Sequence, residues 1–423
     1  MPMFRSCRRQ LLYMANFPKP AVAVLICLLI AVLLVSLYRH DDPSRFPVDT
    51  VEDKDAHFAH PGLSKLKSSA NRHPQPGQEQ PGTHAELSSK CTPKTPQQLL
   101  LDSSKNRQSM FSQAKFTAPN FFLNMNSKEY RFHSDEDVKK PRIVYLHHNK
   151  AGGTSIKTCM RRIAQHLGMT VTKAVTGFRR QQMEKPAATS KQLAASSFDL
   201  IYGGYTAGLC SEELYASSRP CLSFTLLRDP VHRLVSSYMY CQRNQKDQLC
   251  GSWLVNASSV TLSHWAQHQS GFLLAQLSYI PADCKASPSS KLPCWYQMVQ
   301  AIKKRSCGQE DLVTLAKWVA EWLPDTFAAI GMLDEMELSM KMWGKASALP
   351  FENLCTGQES ISLNENTVTA AEDTKSKLIQ LATSDPSIQR ALKLDTILYE
   401  RAREIFNKQA TIMKEKFMPI NNG

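Results

Sequence analysis

Short apolar runs alternate with stretches of helical periodicity through the C-terminal two thirds of the chain. The run RIVYLHH, starting at Arg142, suits a buried strand, and residues 155–167 place apolar side chains at helical spacing. The same order recurs at residues 222–227 (LSFTLL), which precede a helical pattern over 231–240 that begins behind a proline. A third pair is TFAAIG, residues 326–331, followed by LDEMELSMKMWGKA.

The chain closes with an amphipathic stretch over residues 394–409, LDTILYERAREIFNKQ. Strands that alternate with helices predict an α/β fold, in which helices flank a central, mostly parallel sheet. Residues 170–200 and 280–310 show neither period clearly and are predicted to be irregular.

The N-terminus carries one long apolar run, AVAVLICLLIAVLLVSLY, over residues 21–38. It has no charge and is about long enough to cross a bilayer as a helix at ~1.5 Å per residue. Arg5, Arg8 and Arg9 precede it, so we expect residues 1–20 to be a cytoplasmic tail and the run to be a transmembrane signal anchor. A cleaved signal peptide is disfavoured, because the run is long and no small-x-small cleavage pattern follows it.

Residues 39–119 are polar and broken by prolines, which predicts a flexible luminal stem ahead of a folded domain over residues 120–423.

Ten of the twelve cysteines lie beyond the anchor, where disulfides can form. The pairs Cys210/Cys221, Cys241/Cys250 and Cys284/Cys294 would close short loops, although sequence cannot fix the connectivity. No C-x-x-C spacing supports a zinc site instead. The tripeptide at residues 256–258, NAS, is a sequon for N-glycosylation of a luminal domain.

The first strand leads into HHNKAGGTS, residues 147–155. A strand that ends in a glycine-containing loop and opens a helix presents backbone N–H groups and the positive helix end to an anion. Lys150 adds a mobile charge, and Thr154 and Ser155 add hydroxyl donors. The lysine precedes Gly152 and Gly153, so the order differs from that of a nucleotide-hydrolysing P-loop.

The second strand leads into TLLRDPVHRLVSSY, which places Arg228 at the strand end and Ser236 about two helical turns later. Both side chains can therefore face one anionic group. The alternative for Arg228 and Asp229 is a solvated ion pair worth under ~1 kcal/mol.

Together the two motifs resemble those of the membrane-bound Golgi carbohydrate sulfotransferases, of the heparan sulfate and chondroitin O-sulfotransferase type. The first looks like HIPKTGGTS and the second like LRDPVxRxxSxY, and the resemblance extends through the third pair and the C-terminal stretch to about residue 410. It implies a P-loop-like sulfotransferase fold and the sulfuryl donor 3′-phosphoadenosine 5′-phosphosulfate. It also implies that Lys150 stabilises the leaving oxygen, that Arg228 and Ser236 bind the 3′-phosphate, and that the 5′-phosphate is held by the remaining loop residues Ala151, Gly152, Gly153, Thr154 and Ser155.

A sugar hydroxyl also needs a general base. Several family members carry a histidine for this purpose in a segment that corresponds to residues 201–206 here, IYGGYT, which contains none. Tyr205 is a weak base at its ordinary pKa of about 10. His148 is therefore the predicted catalytic base beside Lys150, with His147, Glu212 and Glu213 as alternatives; since one of two adjacent strand residues usually faces the core, a structural role for either histidine stays open.

The formal net charge of +14 favours anionic partners. With the resemblance, it predicts an anionic glycan acceptor and no nucleic acid, while neutral galactose, N-acetylgalactosamine and small-molecule acceptors stay open. Sulfuryl transfer requires no metal. The expected location is the Golgi membrane, as a single-pass type II protein with a luminal catalytic domain. The acceptor hydroxyl and oligomeric state are not predicted. Two alternatives remain: a non-catalytic Golgi protein that binds a glycan or nucleotide, and a Golgi glycosyltransferase, for which the D-x-D pattern at residues 135–137 precedes the first strand rather than following one.

Overall fold

The computed structural model describes residues 92–100, 119–126, 130, 133, 140–173, 199–204, 206–207, 210, 220–245, 250, 255–278, 294–355 and 369–418. The predicted anchor at residues 21–38 lies outside these ranges, as do most of the predicted stem and the D-x-D pattern. No helix within the described ranges is both long enough and apolar enough to cross a bilayer.

The described core is a five-stranded parallel sheet in the order β2-β3-β1-β4-β5. Its central strand β1 lies between β3 and β4, so the loops that follow these three strands meet at one edge of the sheet. Every residue of β1, β3, β4 and β5 is buried, as expected of a parallel sheet covered on both faces. The strands are β1 (Arg142–Leu146), β2 (Val171–Lys173), β3 (Leu200–Gly203), β4 (Cys221–Leu227) and β5 (Ala329–Met332).

Helices flank this sheet, and the predicted α/β fold is confirmed. A 3₁₀ turn, Leu333–Glu335, joins β5 to the next helix. The helices are α1 (Pro96–Leu100), α2 (Gly153–Leu167), α3 (Pro230–Arg243), α4 (Leu262–Gln269), α5 (Phe272–Leu277), α6 (Cys294–Arg305), α7 (Gln309–Glu321), α8 (Leu323–Thr326), α9 (Met336–Ser347), α10 (Phe351–Cys355), α11 (Thr369–Ser384) and α12 (Pro386–Phe417).

Three strand-and-helix pairs lie close to where the apolar pattern places them. The helix after β1 begins two residues earlier than predicted, at Gly153, and its buried positions include Ile156, Cys159 and Ile163. The C-terminal helix α12 extends well beyond the predicted 394–409 at both ends. Its start is fixed by Asp385, which caps the first turn by accepting from the Ser387 and Ile388 amides. The prediction of irregular structure was wrong for α6 and for β2. The strand β2 has only three residues, too few to show a clear alternation of apolar and polar positions.

Aromatic side chains fill the space between β1, β4 and α9. The Trp343 ring lies 5.7 Å from the Tyr145 ring and 5.4 Å from the Phe224 ring, centroid to centroid. All three side chains are almost fully buried. Burial of aromatic rings of this size contributes much of the apolar stabilisation of a domain, so this contact fixes α9 against the sheet.

Three disulfides lie within the described residues. Cys210–Cys221 and Cys241–Cys250 close short loops as predicted, whereas the proposed partner Cys284 lies outside the described residues. The third, Cys159–Cys355, joins α2 to α10 across a separation of 196 residues. Sequence spacing gave no signal for this long-range bond.

Part of the predicted stem packs against the folded domain. Leu99 and Leu100 of α1 are fully buried, and Arg305 donates from Nε to the Leu99 carbonyl over 2.7 Å. The Lys94 amide also donates to the Asp311 carboxylate. Residues 92–100 are therefore an ordered part of the described domain, while the predicted domain boundaries themselves stay predictions.

Candidate active site

The lysine loop, residues 147–152, leaves the carboxyl end of the central strand β1 and turns sharply into α2. Two of its residues have left-handed backbones, Lys150 at φ 66° and Gly152 at φ 73°. Gly152 is the N-cap of α2 and makes no side-chain cap, so the first-turn N–H groups of the helix have no partner from that residue. The turn therefore presents an anion-binding helix end at the middle of the sheet edge.

Gly152 in the lysine loop and Gly153 at the start of α2 are both required by close packing. A Cβ atom on Gly152 would lie 2.7 Å from Leu333 Cδ1 and 3.1 Å from Leu226 Cδ2. A Cβ atom on Gly153 would overlap the imidazole ring of His147. The loop is thus held down against the ends of β4 and β5, with the His147 ring over the start of α2.

Arg228 connects the second motif to the lysine loop. Its Nη1 atom donates to the Lys150 carbonyl over 3.1 Å, and its side chain is only partly exposed. Asp229 has a separate role, since its carboxylate caps α3 by accepting from the His232 amide at 2.9 Å. Burial lowers the pKa of Arg228, and the nearby Asp229 charge opposes this effect.

The Lys150 side chain also reaches α3. Its ammonium lies 3.8 Å from the centroid of the Tyr240 ring, within range of a cation–π interaction. Ser236 precedes Tyr240 by one helical turn, on the same face of α3. The structure therefore brings Lys150 and Arg228 together and adds Tyr240, while Ser236 lies on the α3 face that carries Tyr240.

The hydroxyl residues Thr154 and Ser155 lie in the first turn of α2, the former exposed and the latter partly exposed. Ala151 is fully buried and its amide donates to the His148 carbonyl over 3.2 Å. Their predicted contacts with the 5′-phosphate stay predictions.

The two adjacent histidines have different surroundings. His147 is partly exposed, whereas His148 is 1% exposed, and its Nδ1 atom lies 2.5 Å from Gln276 Oε1. Burial lowers the pKa of His148 to about 3, and the Arg233 charge acts in the same direction. These surroundings favour a structural role for His148 over its predicted role as base, which stays a prediction. The other base candidates, Glu212 and Glu213, and also Tyr205, lie outside the described residues.

The segment after β3, where relatives carry a histidine, lies directly beside the lysine loop. The His147 amide donates to the Gly203 carbonyl over 2.8 Å, and Thr206 Oγ1 donates to the Tyr145 carbonyl over 3.0 Å. Gln276 Nε2 donates to the Gly204 carbonyl over 2.9 Å. These bonds hold the segment beside the lysine loop, and its described residues, Gly204, Thr206 and Ala207, include no titratable candidate base.

A buried ion pair supports α3 from behind. Arg233 Nη2 lies 3.5 Å from Asp395 Oδ2, and Asp395 Oδ1 accepts from the Leu273 amide. Burial raises the pKa of Asp395 to about 6, against the opposing Arg233 charge. The pair joins α3, α5 and α12, so it fixes the helix that carries Ser236 and Tyr240 to the rest of the domain.

A cleft of about 510 Å³ opens beside Arg228. Its walls come from the start of α3, the 3₁₀ turn after β5, the end of α11 and the adjoining part of α12. Two of its lining residues also contact the lysine loop, since Arg228 donates to Lys150 and Leu333 approaches Gly152. The lining residues are Arg228, Asp229, Val231, His232, Leu333, Asp334, Thr383, Gln389 and Tyr399.

Among the described residues, no cluster of three or more histidine, cysteine, aspartate or glutamate side chains is arranged to hold a metal ion. The groups that converge on the lysine loop are instead cations, hydroxyls and backbone N–H donors. Such a set suits a phosphate or sulfate group.

Comparison with known proteins agrees with this chemistry. Residues 137–310 match the model of the Sulfotransferase family, a range that contains both motifs and ends before β5. A search of curated proteins finds no match. Among solved structures, the chain is similar to a sulfotransferase from Alicyclobacillus acidocaldarius, at 13% identity over 61% of this chain and 96% of that chain, with a TM-score of 0.28. The family match confirms the sulfotransferase resemblance predicted from the two motifs.

Proposed function

From the sulfotransferase family membership indicated for residues 137–310, we propose that the protein transfers a sulfuryl group from 3′-phosphoadenosine 5′-phosphosulfate to a glycan hydroxyl. The observation that carries the proposal is the hydrogen bond from Arg228 to the Lys150 carbonyl beside a helix-opening loop, with the Lys150 ammonium over Tyr240, one turn beyond Ser236. Lysine, arginine and serine side chains all bind phosphate or sulfate oxygen.

The donor has two phosphate groups, and the site offers two sets of donors for them. The first turn of α2, with Thr154 and Ser155, suits the 5′-phosphate because Gly152 provides no side-chain cap for the N–H groups at this positive helix end. Arg228 and Ser236 suit the 3′-phosphate. The Arg228–Lys150 hydrogen bond supports a fixed spacing between the two subsites.

The cleft beside Arg228 suits the nucleoside of the donor. It has apolar walls in Val231 and Leu333, an aromatic ring in Tyr399, and hydrogen-bonding groups in Asp229 and Gln389. Nucleoside pockets commonly combine such apolar surface with a few polar groups.

In the proposed reaction, the acceptor oxygen forms a bond to sulfur while the bond from sulfur to the 5′-phosphate oxygen breaks. Negative charge develops on the leaving phosphate, and the Lys150 ammonium is placed to stabilise it. The hydroxyl proton passes to a base. Burial lowers the pKa of His148, so this predicted base is a poor proton acceptor.

The acceptor class is proposed from charge and from the resemblance. A net charge of +14 favours a polyanionic acceptor such as a glycosaminoglycan, because a basic protein raises the local concentration of anions. The same proposal includes a Golgi location, with residues 21–38 as the membrane anchor and the catalytic domain in the lumen.

The test is transfer of labelled sulfate by the full-length chain to a panel of desulfated glycosaminoglycans and neutral galactose-terminated glycans. Lys150→Ala is expected to lower kcat by about a hundredfold or more, since loss of one preorganised charge-stabilising donor typically has this effect. The matched control is Lys377→Ala, which removes an exposed lysine paired with Asp373 on α11 and is expected to leave transfer unchanged.

Binding of adenosine 3′,5′-bisphosphate, measured by calorimetry, separates the alternatives. Transfer to one glycan class that is lost in Lys150→Ala supports the enzyme and identifies the acceptor class. Tight bisphosphate binding without transfer to any glycan supports the non-catalytic binding protein. Absence of both would refute the proposed donor.

A further inference from the structure

Gln276 makes three hydrogen bonds at the back of the lysine loop, and they determine the orientation of its amide. The side chain lies on α5 and is completely buried. Its Nε2 atom is 2.9 Å from the Gly204 carbonyl oxygen and 3.2 Å from the His147 carbonyl oxygen. A carbonyl oxygen can only accept, so the atom that faces both must be the NH₂ group.

This orientation fixes the proton on His148. With Nε2 turned to the two carbonyls, Gln276 Oε1 faces His148 Nδ1 at 2.5 Å. An amide oxygen can only accept, so Nδ1 must carry the proton. Burial, the Arg233 charge and the neighbouring His147 all lower the pKa of His148, which opposes a second proton on the ring. The ring is therefore neutral, with its proton on Nδ1.

The three bonds connect two neighbouring segments at the carboxyl edge of the sheet. His147 and His148 open the lysine loop, while Gly204 directly follows β3. The Gly203 carbonyl accepts from the His147 amide over 2.8 Å, which adds a backbone connection between the same two segments. Gln276 approaches from α5, on a separate part of the chain, and binds both.

We propose that Gln276 is a positioning residue, which holds the lysine loop in register with the segment after β3 through a neutral His148 protonated on Nδ1. This inference rests on the proposed function, because the lysine loop is taken as the donor site. Gln276 itself touches neither reacting group. It acts by fixing the position of the lysine loop, and with it Lys150, relative to the segment after β3.

The first test is the protonation state of His148, read by ¹⁵N NMR of the full-length chain labelled at histidine. The His148→Asn variant identifies the resonance, and Asn retains a donor near the Nδ1 position. We expect a protonated Nδ1 and an unprotonated Nε2 from about pH 5.5 to 7.5, around the range where an ordinary histidine titrates. A proton on Nε2, or titration of the ring in this range, would overturn the inference.

The second test is Gln276→Glu, which keeps the shape but replaces the NH₂ group by an oxygen. A carboxylate cannot donate to the Gly204 and His147 carbonyls, so we expect the Kd of adenosine 3′,5′-bisphosphate to rise about tenfold. Lower pH should restore part of the affinity, because a protonated carboxyl can donate one hydrogen bond. The control is Gln267→Glu, which adds the same charge at an exposed position on α4.

Two His148 variants distinguish the effect of the hydrogen bond to Gln276 from the effect of side-chain packing. His148→Asn is expected to retain most of the bisphosphate affinity and His148→Leu to lose it, because only Asn can donate to Gln276 Oε1. Equal affinities for these two variants, or for Gln276→Glu and the wild-type chain, would refute the positioning role. Failure of the wild-type chain to transfer sulfate would refute the proposed function alone, since the His148 spectrum does not depend on turnover.

Discussion

Gly152 and Gly168 cap opposite ends of α2, and both have left-handed backbones, at φ 73° and 62°. They differ in their surroundings. A Cβ atom on Gly152 would meet Leu333 at 2.7 Å, whereas one on Gly168 would have nothing within 4 Å. The two positions therefore separate the cost of backbone strain from the cost of displacing the lysine loop.

Gly168→Ala is expected to lower the free energy of unfolding by about 1–2 kcal/mol, the usual cost of a left-handed backbone for a residue with a Cβ atom. It should leave bisphosphate affinity unchanged. Gly152→Ala has the same strain and must also push against Leu333 and Leu226, so we expect a larger loss of stability and at least a tenfold rise in Kd. Denaturant unfolding and calorimetry measure the two quantities. Equal Kd values for the two variants would show that the packing of Gly152 is unimportant for binding.

The site residues that the sequence predicts are those that lie within one continuous motif. Lys150 and Ser236 could be identified because a strand end and a helix opening are local features, and Tyr240 could have been added as the residue one turn beyond Ser236. Gln276 could not, because its contacts join it to residues about seventy and 130 positions away. The Arg233–Asp395 pair is hidden in the same way, since it links two helices 162 residues apart.

At the scale of elements, the fold is predicted well where a segment has a clear period and poorly elsewhere. The sheet strands β1 and β4 are continuous apolar runs, and both are found. The three-residue strand β2 gives too few positions to show a pattern, and Cys159–Cys355 pairs cysteines on two elements whose proximity depends on the whole chain path. Sequence therefore predicts the elements that have a clear period and the two short-loop disulfides, but not the long-range disulfide.

This long-range disulfide should stabilise the domain more than the short ones. In the chain-entropy model, its loss across a separation of 196 residues costs about 5 kcal/mol at 25 °C. Loss of Cys241–Cys250, with a separation of 9, costs about 3 kcal/mol in the same model. We expect the paired substitutions Cys159→Ala with Cys355→Ala to lower the melting temperature more than Cys241→Ala with Cys250→Ala.

Calorimetric or fluorescence melting of the two double variants is the measurement. Because α2 starts at the lysine loop, the first double variant should also bind the bisphosphate more weakly near its melting temperature. An equal or smaller loss of melting temperature for Cys159 and Cys355 would contradict the entropic account of this bond.

At the scale of the whole molecule, residues 92–100, which lie within the predicted stem, pack against the described domain. The α1 residues Leu99 and Leu100 are fully buried, and the Arg305–Leu99 hydrogen bond ties this segment to α6. A five-residue helix has too little periodicity to stand out inside a polar, proline-rich stretch. Leu99 and Leu100 can be recognised as core residues only when the surface that covers them is known.

Leu99→Ala in the full-length chain should therefore lower the free energy of unfolding by about 2–5 kcal/mol, the range for truncating a buried leucine. The matched control is Leu381→Ala on α11, where the side chain is 48% exposed and far less should be lost. Denaturant unfolding compares the two.

The same packing predicts that a chain shortened to residues 117–423 melts at a lower temperature than one spanning residues 83–423, because the shorter chain exposes the apolar surface beneath α1. If Leu99→Ala and Leu381→Ala have equal effects, and both shortened chains melt together, then α1 is not part of the folded domain and the predicted stem extends to residue 119.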